Sequence, residues 1–413
     1  MRVDIVTNFR ELAGMRPDWE RVYDADPEAH FFLSWDWMTK RLDIDNTRWF
    51  VLAVREDADD APYVAFFPMR MVTRMQTGTA FWNDIEMAGK PSSDFSGFLC
   101  LPQFEGRAIP ALARHLLGMG WKSLWLNYFR ASRKRSRLFL GFFPDRDFDK
   151  VDVGGVNPGD VIDNTICPYA DLPDSWDDYL GTSVSANTRQ KVRRFLKRVE
   201  ETDEFRITHA DAATIDRDLD IVVRFWSEQW AASKGKEAEV IQQTIRTATM
   251  ECFDAGSLFL PVLWQGDRPL GALVCFADAR HKTLLFYVAG RDQSFDDLPA
   301  GLVLHAYAIR HAIASGMTKY DFLRGNERYK YSFATGEYRV VNTRIVTKSG
   351  KNLGGNIDPM SVPMVLQAAK QLIQMKHVAA AEIGFRQVLL IDPGCAEALE
   401  GYRRLNAART KAT

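Results

Sequence analysis

The segment YDFLRGNERYK, residues 320–330, sets out side chains able to do chemistry: carboxylates at Asp321 and Glu327, a phenol at Tyr329, an ammonium at Lys330, and Arg324 and Asn326 on either side of Gly325. A carboxylate works as a general base where it reaches the proton it removes. Held in an ion pair it is structural. Both readings are open for Asp321, with Arg324 or Arg310 as the pairing residue, and for Glu327, with Lys330. Tyr329 reads as a proton donor or as a wedged core tyrosine. Lys330 suits a phosphate or developing negative charge.

A second cluster lies in SANTRQKVRRFLKRVE, residues 185–200. Val192, Phe195, Leu196 and Val199 form one helical stripe, and Arg189, Lys191, Arg193, Arg194, Lys197 and Arg198 cover the rest. Such a run serves as a solvated helix face, as a surface for an anionic ligand, or as a membrane-surface contact. The spacing of Arg189 and Arg193 fits a nucleotide phosphate, and a cyclic dinucleotide is one candidate. His305 and His311 are six residues apart, off a common helical face, and read as surface or packed residues. There is no HExxH or GxSxG segment, and Cys100, Cys167, Cys252, Cys275 and Cys395 are dispersed. Neither a metal site nor a covalent nucleophile is expected.

The elements that must position these residues follow from periodicity. KTLLFYVAG is a buried strand, RDQSFDDLPAG a loop, and LVLHAYAIRHAIA a helix closed by Gly316, before the strand around Asp321. That is a βαβ unit. The loop leaves backbone N–H groups at the positive end of the helix, which suits a phosphate. Upstream, SLFLPVLW, PLGALVCF and the first of these strands form an antiparallel meander, preceded by an amphipathic helix over about residues 218–232 and another reaching Phe253. EYRVVNTRIVT is a last strand. Nearer the N-terminus, residues 49–55 and 63–72 flank an acidic turn as a hairpin, residues 112–117 read as part of a helix, and residues 123–129 as a strand. Trp35, Trp37, Trp49, Trp82, Trp121 and Trp125 all lie in this first part and read as core and groove wall rather than a ligand cage.

The chain has 413 residues, 46% hydrophobic and 26% charged, with a formal net charge of -1. That length allows two or three domains, and the charge gives no support to nucleic-acid binding. No apolar run reaches the roughly 18 residues a membrane span needs. With the cysteine usage, this makes the cytoplasm the default location, with peripheral contact at the inner membrane face left open by the basic helix. Residues 1–165 form a first domain, 166–350 a second, and 360–413 an alanine-rich helical tail. Within the tail, Ala381, Phe385 and Pro393 fall at the offsets of a tetratricopeptide repeat. One repeat cannot bury its own faces, so the tail packs on the body, offers a partner or dimer surface, or both.

From about residue 173 to 347 the chain resembles GNAT-superfamily acyltransferases of the cellulose-biosynthesis (CelD/BcsL-like) type and, more distantly, FemAB transferases. The resemblance rests on the order of NTRQKVRRFLKRVEE, the helix ending SEQW, GSLFLPVLWQGDRPLGALVCF, FYVAGRD…LPAG and YDFLRGNERYK. It implies an α/β (α+β) fold of tandem GNAT-like domains, the first degenerate, with mixed, mostly antiparallel sheets flanked by helices. It also implies transfer of an acyl group, usually from acetyl-CoA or another acyl-CoA, to an amine such as a glycan or small-molecule acceptor of envelope or exopolysaccharide synthesis. FemAB relatives use aminoacyl-tRNA as donor. The glycine-rich phosphate loop common in GNAT proteins is absent as written. On this resemblance Val288, Gly290, Arg291, Pro299, Ala300 and Gly301 would meet the donor, and Asp321 or Glu327 would bind or deprotonate the amine. Tyr329 would protonate the thiolate and Lys330 would neutralise charge, while Arg189, Arg193, Arg324 and Asn326 would orient a sugar or nucleotide. An idle GNAT scaffold that binds a nucleotide or a protein partner is the alternative.

Overall fold

The computed structural model describes residues 1–42, 48–58, 60–76, 79–157, 159 and 161–410, with side chains to residue 405. Asp59 in the acidic turn, and Pro158 and Asp160 in the connection after residue 152, lie outside the described residues. The chain divides into two compact units, Met1–Gly154 with Val341–Thr413, and Gly155–Val340.

In the first unit, strands β1 (Arg2–Val6), β2 (Arg48–Arg55), β3 (Tyr63–Arg74), β4 (Trp82–Met87), β5 (Leu99–Cys100), β6 (Ser123–Phe129) and β7 (Phe148–Asp152) are joined by β16 (Val341–Thr347). The order is β1-β2-β3-β4-β6-β16-β7, with β5 beside β3. Neighbours are antiparallel except β4 and β6. Helices α1 (Phe9–Gly14), α2 (Arg16–Ala25) and α3 (Trp35–Leu42) precede α4 (Glu105–Leu117), and α5 (Arg133–Leu140) follows β6. A parallel pair needs a crossover, and α4 supplies it, burying Ile109, Leu112 and Leu116 against the sheet. The segment read as a helix over residues 112–117 is the last part of α4. Trp121 is core, stacked on Phe148. The tail is three helices, α11 (Val362–Gln374), α12 (Val378–Ile391) and α13 (Ala396–Thr410). Ala381 and Phe385 are buried among them. The Gln387 side chain pairs with the backbone of Phe81, accepting from its N–H at 2.7 Å and donating to its carbonyl at 3.0 Å, which fastens the tail to the strand end.

The second unit repeats the plan. Its strands are β8 (Ile166–Asp171), β9 (Phe205–His209), β10 (Leu258–Phe259), β11 (Pro261–Gln265), β12 (Arg268–Asp278), β13 (Thr283–Arg291), β14 (Lys319–Asp321) and β15 (Gly336–Arg339). They run β15-β8-β14-β13-β12-β11-β9, with β10 beside β12. Again one pair is parallel, β13 with β14, joined through α10 (Ala300–Ala314). Helices α6 (Trp176–Thr182), α7 (Ala186–Glu201), α8 (Ile215–Lys234) and α9 (Ala238–Asp254) flank the sheet. The expected α/β fold of two mixed, mostly antiparallel sheets with a helical tail is the fold observed.

One expectation needs correction. EYRVVNTRIVT is not a single strand. It breaks at Val340, where β15 ends beside β8 and β16 begins between β6 and β7. Residues from 341 onward, expected to close the second domain, therefore lie in the first unit. In return β8, which follows β7 in sequence, fills the matching position of the second sheet. Both segments are extended and half apolar, so the choice of sheet rests on long-range pairing that local periodicity does not carry.

Candidate functional site

Strands β13 and β14 share three rungs, Thr283 with Lys319, Leu284 with Tyr320 and Leu285 with Asp321, and then separate. The chain beyond β14 follows β8 instead. Phe322 N–H donates to Pro168 O at 3.0 Å and Gly325 N–H to Ile166 O at 2.8 Å. Leu323 has φ 56, a left-handed conformation uncommon for a residue with a side chain. On its other side β13 bulges against β12: Cys275 pairs with Phe286 and Val274 with Val288, leaving Tyr287 as the extra residue. A bulge of this kind re-aims the backbone. Gly290 lies hard against α8, where an added Cβ would come within 2.6 Å of the Phe225 Cβ. The result is a fork with β13 residues 286–291 on one side and residues 322–325 on the other.

The first unit has the same fork, closed by its own chain. There β4 and β6 also share three rungs, Asp84–Ser123, Ile85–Leu124 and Glu86–Trp125, and a left-handed residue again follows them, Tyr128 at φ 46, next to last in β6. Ser96 then takes the place β4 vacates. Its N–H donates to Tyr128 O at 3.0 Å, its carbonyl accepts from Arg130 N–H at 2.8 Å, and its hydroxyl donates to Asn127 O at 2.7 Å. Among the described residues, no comparable bridge occupies the β13 side of the second fork.

At the mouth of the second fork stands the N-terminus of α10. Pro299 precedes its first turn, no side chain caps it, and an added Cβ on Gly301 would meet open space. Arg291 ends β13 and is exposed. The acidic residues of the connecting loop oppose an anion only where they are free. Asp292 accepts from Arg268 Nε at 2.9 Å and from the Ser294 hydroxyl at 2.7 Å, and Asp297 accepts from Arg198 at 2.6 Å. Partial burial pushes the Asp292 carboxyl up, but its bonds to Ser294 and Arg268 bring it below the usual range. The Arg198 bond does the same for Asp297.

The residues of 320–330 are brought together at the end of β14, in unequal situations. Asp321 is buried, one carboxylate oxygen accepting from Leu323 N–H at 2.9 Å and the other from the Tyr338 hydroxyl at 2.8 Å. Lys330 is also buried. It donates to the carbonyls of Arg324 at 2.6 Å and Gly325 at 3.1 Å and forms an ion pair with Glu327 at 2.9 Å. Glu327 folds over Gly325, whose φ of 101 and lack of a side chain make room for the carboxylate. Tyr329 is 45% exposed, with its ring centroid 5.5 Å from that of His305. Loss of water around its hydroxyl, then the Glu327 charge, raises its pKa and keeps it protonated. Asn326 accepts from Asp163 N–H at 2.8 Å, a structural partner.

Three arginines of the basic helix α7 have partners within the second unit. Arg189 donates to the carbonyls of Leu180 and Gly181 at the end of α6, and Arg193 pairs with Asp177 at 3.6 Å. Arg198 binds Glu204 and Asp297. Sequence reasoning missed the role of His305. Its ring is buried, its Nδ1 lies 3.0 Å from the Tyr320 hydroxyl, and burial followed by the Lys330 charge lowers its pKa to about 3. The absence of a charged partner in its helical neighbourhood was the one available sign. Tyr338, the partner of Asp321, had none.

Comparison with known proteins agrees with this geometry. Residues 186–331, about a third of the chain, match the family described as an acetyltransferase (GNAT) domain. No curated protein matches. Among solved structures, the crystal structure of FemX is similar over 84% of this chain and 97% of that chain, at 10% identity and a TM-score of 0.56, a likeness of fold. A conserved protein of unknown function from Bacteroides thetaiotaomicron VPI-5482 is matched over 84% of this chain and 99% of its own, at 12% identity and a TM-score of 0.48. A tandem GNAT protein from the clavulanic acid biosynthesis pathway is matched over 84% and 98%, at 9% identity and a TM-score of 0.43. The chain carries a GNAT acyltransferase domain, and its reaction class is acyl transfer. Among the described residues there is no group of metal-ligating side chains and no helix long and apolar enough to cross a membrane.

Proposed function

We propose that the second unit transfers an acyl group, acetyl in the simplest case, from acyl-CoA to the amine of an amino sugar in envelope or exopolysaccharide synthesis. The observation that supports this reading best is the contrast between the two forks: the first is filled by Ser96 and the second is not. The backbone of β13 beyond Leu285 has lost its β14 partner and offers peptide groups to a pantetheine arm. The free N–H groups of α10 suit the pyrophosphate, and Asp292 and Asp297 are already bound to arginines.

In the reaction the neutral amine nitrogen attacks the thioester carbon, the carbon–sulfur bond breaks, and the amine proton passes to a base. A backbone N–H at the bulge would meet the oxyanion. Glu327 is the better base of the two carboxylates, since its ion pair with Lys330 takes only Oε2, whereas both oxygens of Asp321 are engaged. Asp321 then acts through Leu323 and Tyr338 as a positioning residue. Tyr329, kept protonated, would give its proton to the leaving thiolate and recover one from water. The cyclic-dinucleotide reading of α7 is weakened where Arg189 is held on the carbonyls of Leu180 and Gly181 and Arg198 on Glu204 and Asp297; Arg193 has only an exposed pair with Asp177.

The test is release of CoA thiol from acetyl-CoA with a panel of amino sugars, free, nucleotide-linked and lipid-linked. Release with at least one acceptor, reduced about 100-fold or more in Glu327→Gln, is expected. No release with any amine, together with no CoA binding, would sink the proposal.

A further inference from the structure

The fork has a closed end, and what fills it bears on which acyl groups fit. Phe286 and Phe322 are the first residues beyond the last shared rung of β13 and β14. Their ring centroids are 6.4 Å apart. The imidazole of His305, reaching down from α10, touches both, with centroids 4.7 Å from Phe286 and 5.4 Å from Phe322. Tyr320 backs this trio, 4.8 Å from Phe322 and bonded to His305 Nδ1. Phe333 closes it behind His305 at 6.2 Å. Phe286, His305, Tyr320, Phe322 and Phe333 are all buried. Cores packed at this density accept added methylenes poorly.

We propose that Phe286, His305 and Phe322 form a wall across the closed end of the fork that restricts this transferase to short acyl groups, acetyl or little longer. The inference rests on the acyl-CoA reading of the fork. A chain entering from the open end has the length of β13 from Tyr287 to Arg291 before it, and then meets aromatic rings held in place from two strands and a helix. His305 suits that position for two reasons. Its ring is narrower than a phenyl and fits between two phenylalanines, and its Nδ1 satisfies the buried Tyr320 hydroxyl, which a phenyl would leave with only the weak Cys275 thiol contact at 3.9 Å.

Equilibrium binding of CoA, acetyl-CoA, butyryl-CoA, octanoyl-CoA and palmitoyl-CoA to the full chain tests the wall. A deep apolar pocket rewards every added methylene. The wall predicts the reverse, with octanoyl-CoA bound at least tenfold more weakly than acetyl-CoA. Phe286→Ala, which removes one ring, should shift the octanoyl-to-acetyl ratio by tenfold or more toward octanoyl. Phe322→Leu, a milder change, should shift it in the same direction and serves if Phe286→Ala does not fold. Equal or tighter binding of octanoyl-CoA by the unaltered chain, or no shift in a folded variant, overturns the wall and leaves the fork as a donor site. Failure of CoA and every acyl-CoA to bind overturns both.

Discussion

Taking His305 out of water removes the solvation its imidazolium needs, so the ring stays neutral until the pH approaches about 3. The unfolded chain takes up that proton near pH 6.5, at about the ordinary histidine value. Between those limits the unfolded state binds more protons, so stability falls as the pH drops. The contribution is complete above pH 6.5 and is lost toward pH 3, with a slope of at most about 1.4 kcal/mol per pH unit. His305→Phe should remove this part of the slope in urea unfolding measured from pH 4 to 7, at some cost at neutral pH from the lost Tyr320 partner. An unchanged slope would show that the imidazole is solvated. At this scale the sequence was partly legible. For Glu327 two readings were open, a base or a partner of Lys330 three residues on, and the ion pair is formed. Asp321 could not be matched to Tyr338, because the partner arrives from β15 and no local spacing encodes it.

Among the elements, β13 decides the most. Its strand character was plain from KTLLFYVAG, and the helix and strand after it from their periodicity. What periodicity does not carry is the bulge at Tyr287 and the parting of β14 after Asp321, since both depend on which neighbour each strand finds. Gly290 shows the same limit. Read as a donor-side residue for its place at the strand end, it is required on the opposite account, because α8 passes so close that a Cβ would sit 3.0 Å from Val222 O and 2.6 Å from the Phe225 Cβ. Gly290→Ala must push α8 away from the sheet. A loss of about 1–3 kcal/mol is expected, measured by chemical denaturation. Unchanged stability would mean that α8 is free to move and does not fix the wall of the fork.

For the molecule as a whole, the two sheets share one strand order, one parallel pair and one fork, and they exchange one strand each: β8 lies in the second sheet and β16 in the first. Two α/β halves and a helical tail were legible from the sequence. The expected second domain, 166–350, already held β8; the return of β16 to the first sheet was not legible, because which sheet an extended segment joins depends on long-range pairing. The repetition makes the difference between the forks informative. One unit has closed its fork with Ser96, and the other has kept the opening under a helix N-terminus with Asp292 and Asp297 of its loop paired to arginines. Amide hydrogen exchange with and without saturating acetyl-CoA tests this division most directly. Binding should slow exchange across residues 286–303, from the bulge of β13 through the first turn of α10, and leave residues 84–98 and 123–130 of the first fork unchanged. Protection in the first fork, or none in the second while acetyl-CoA is bound, would contradict it.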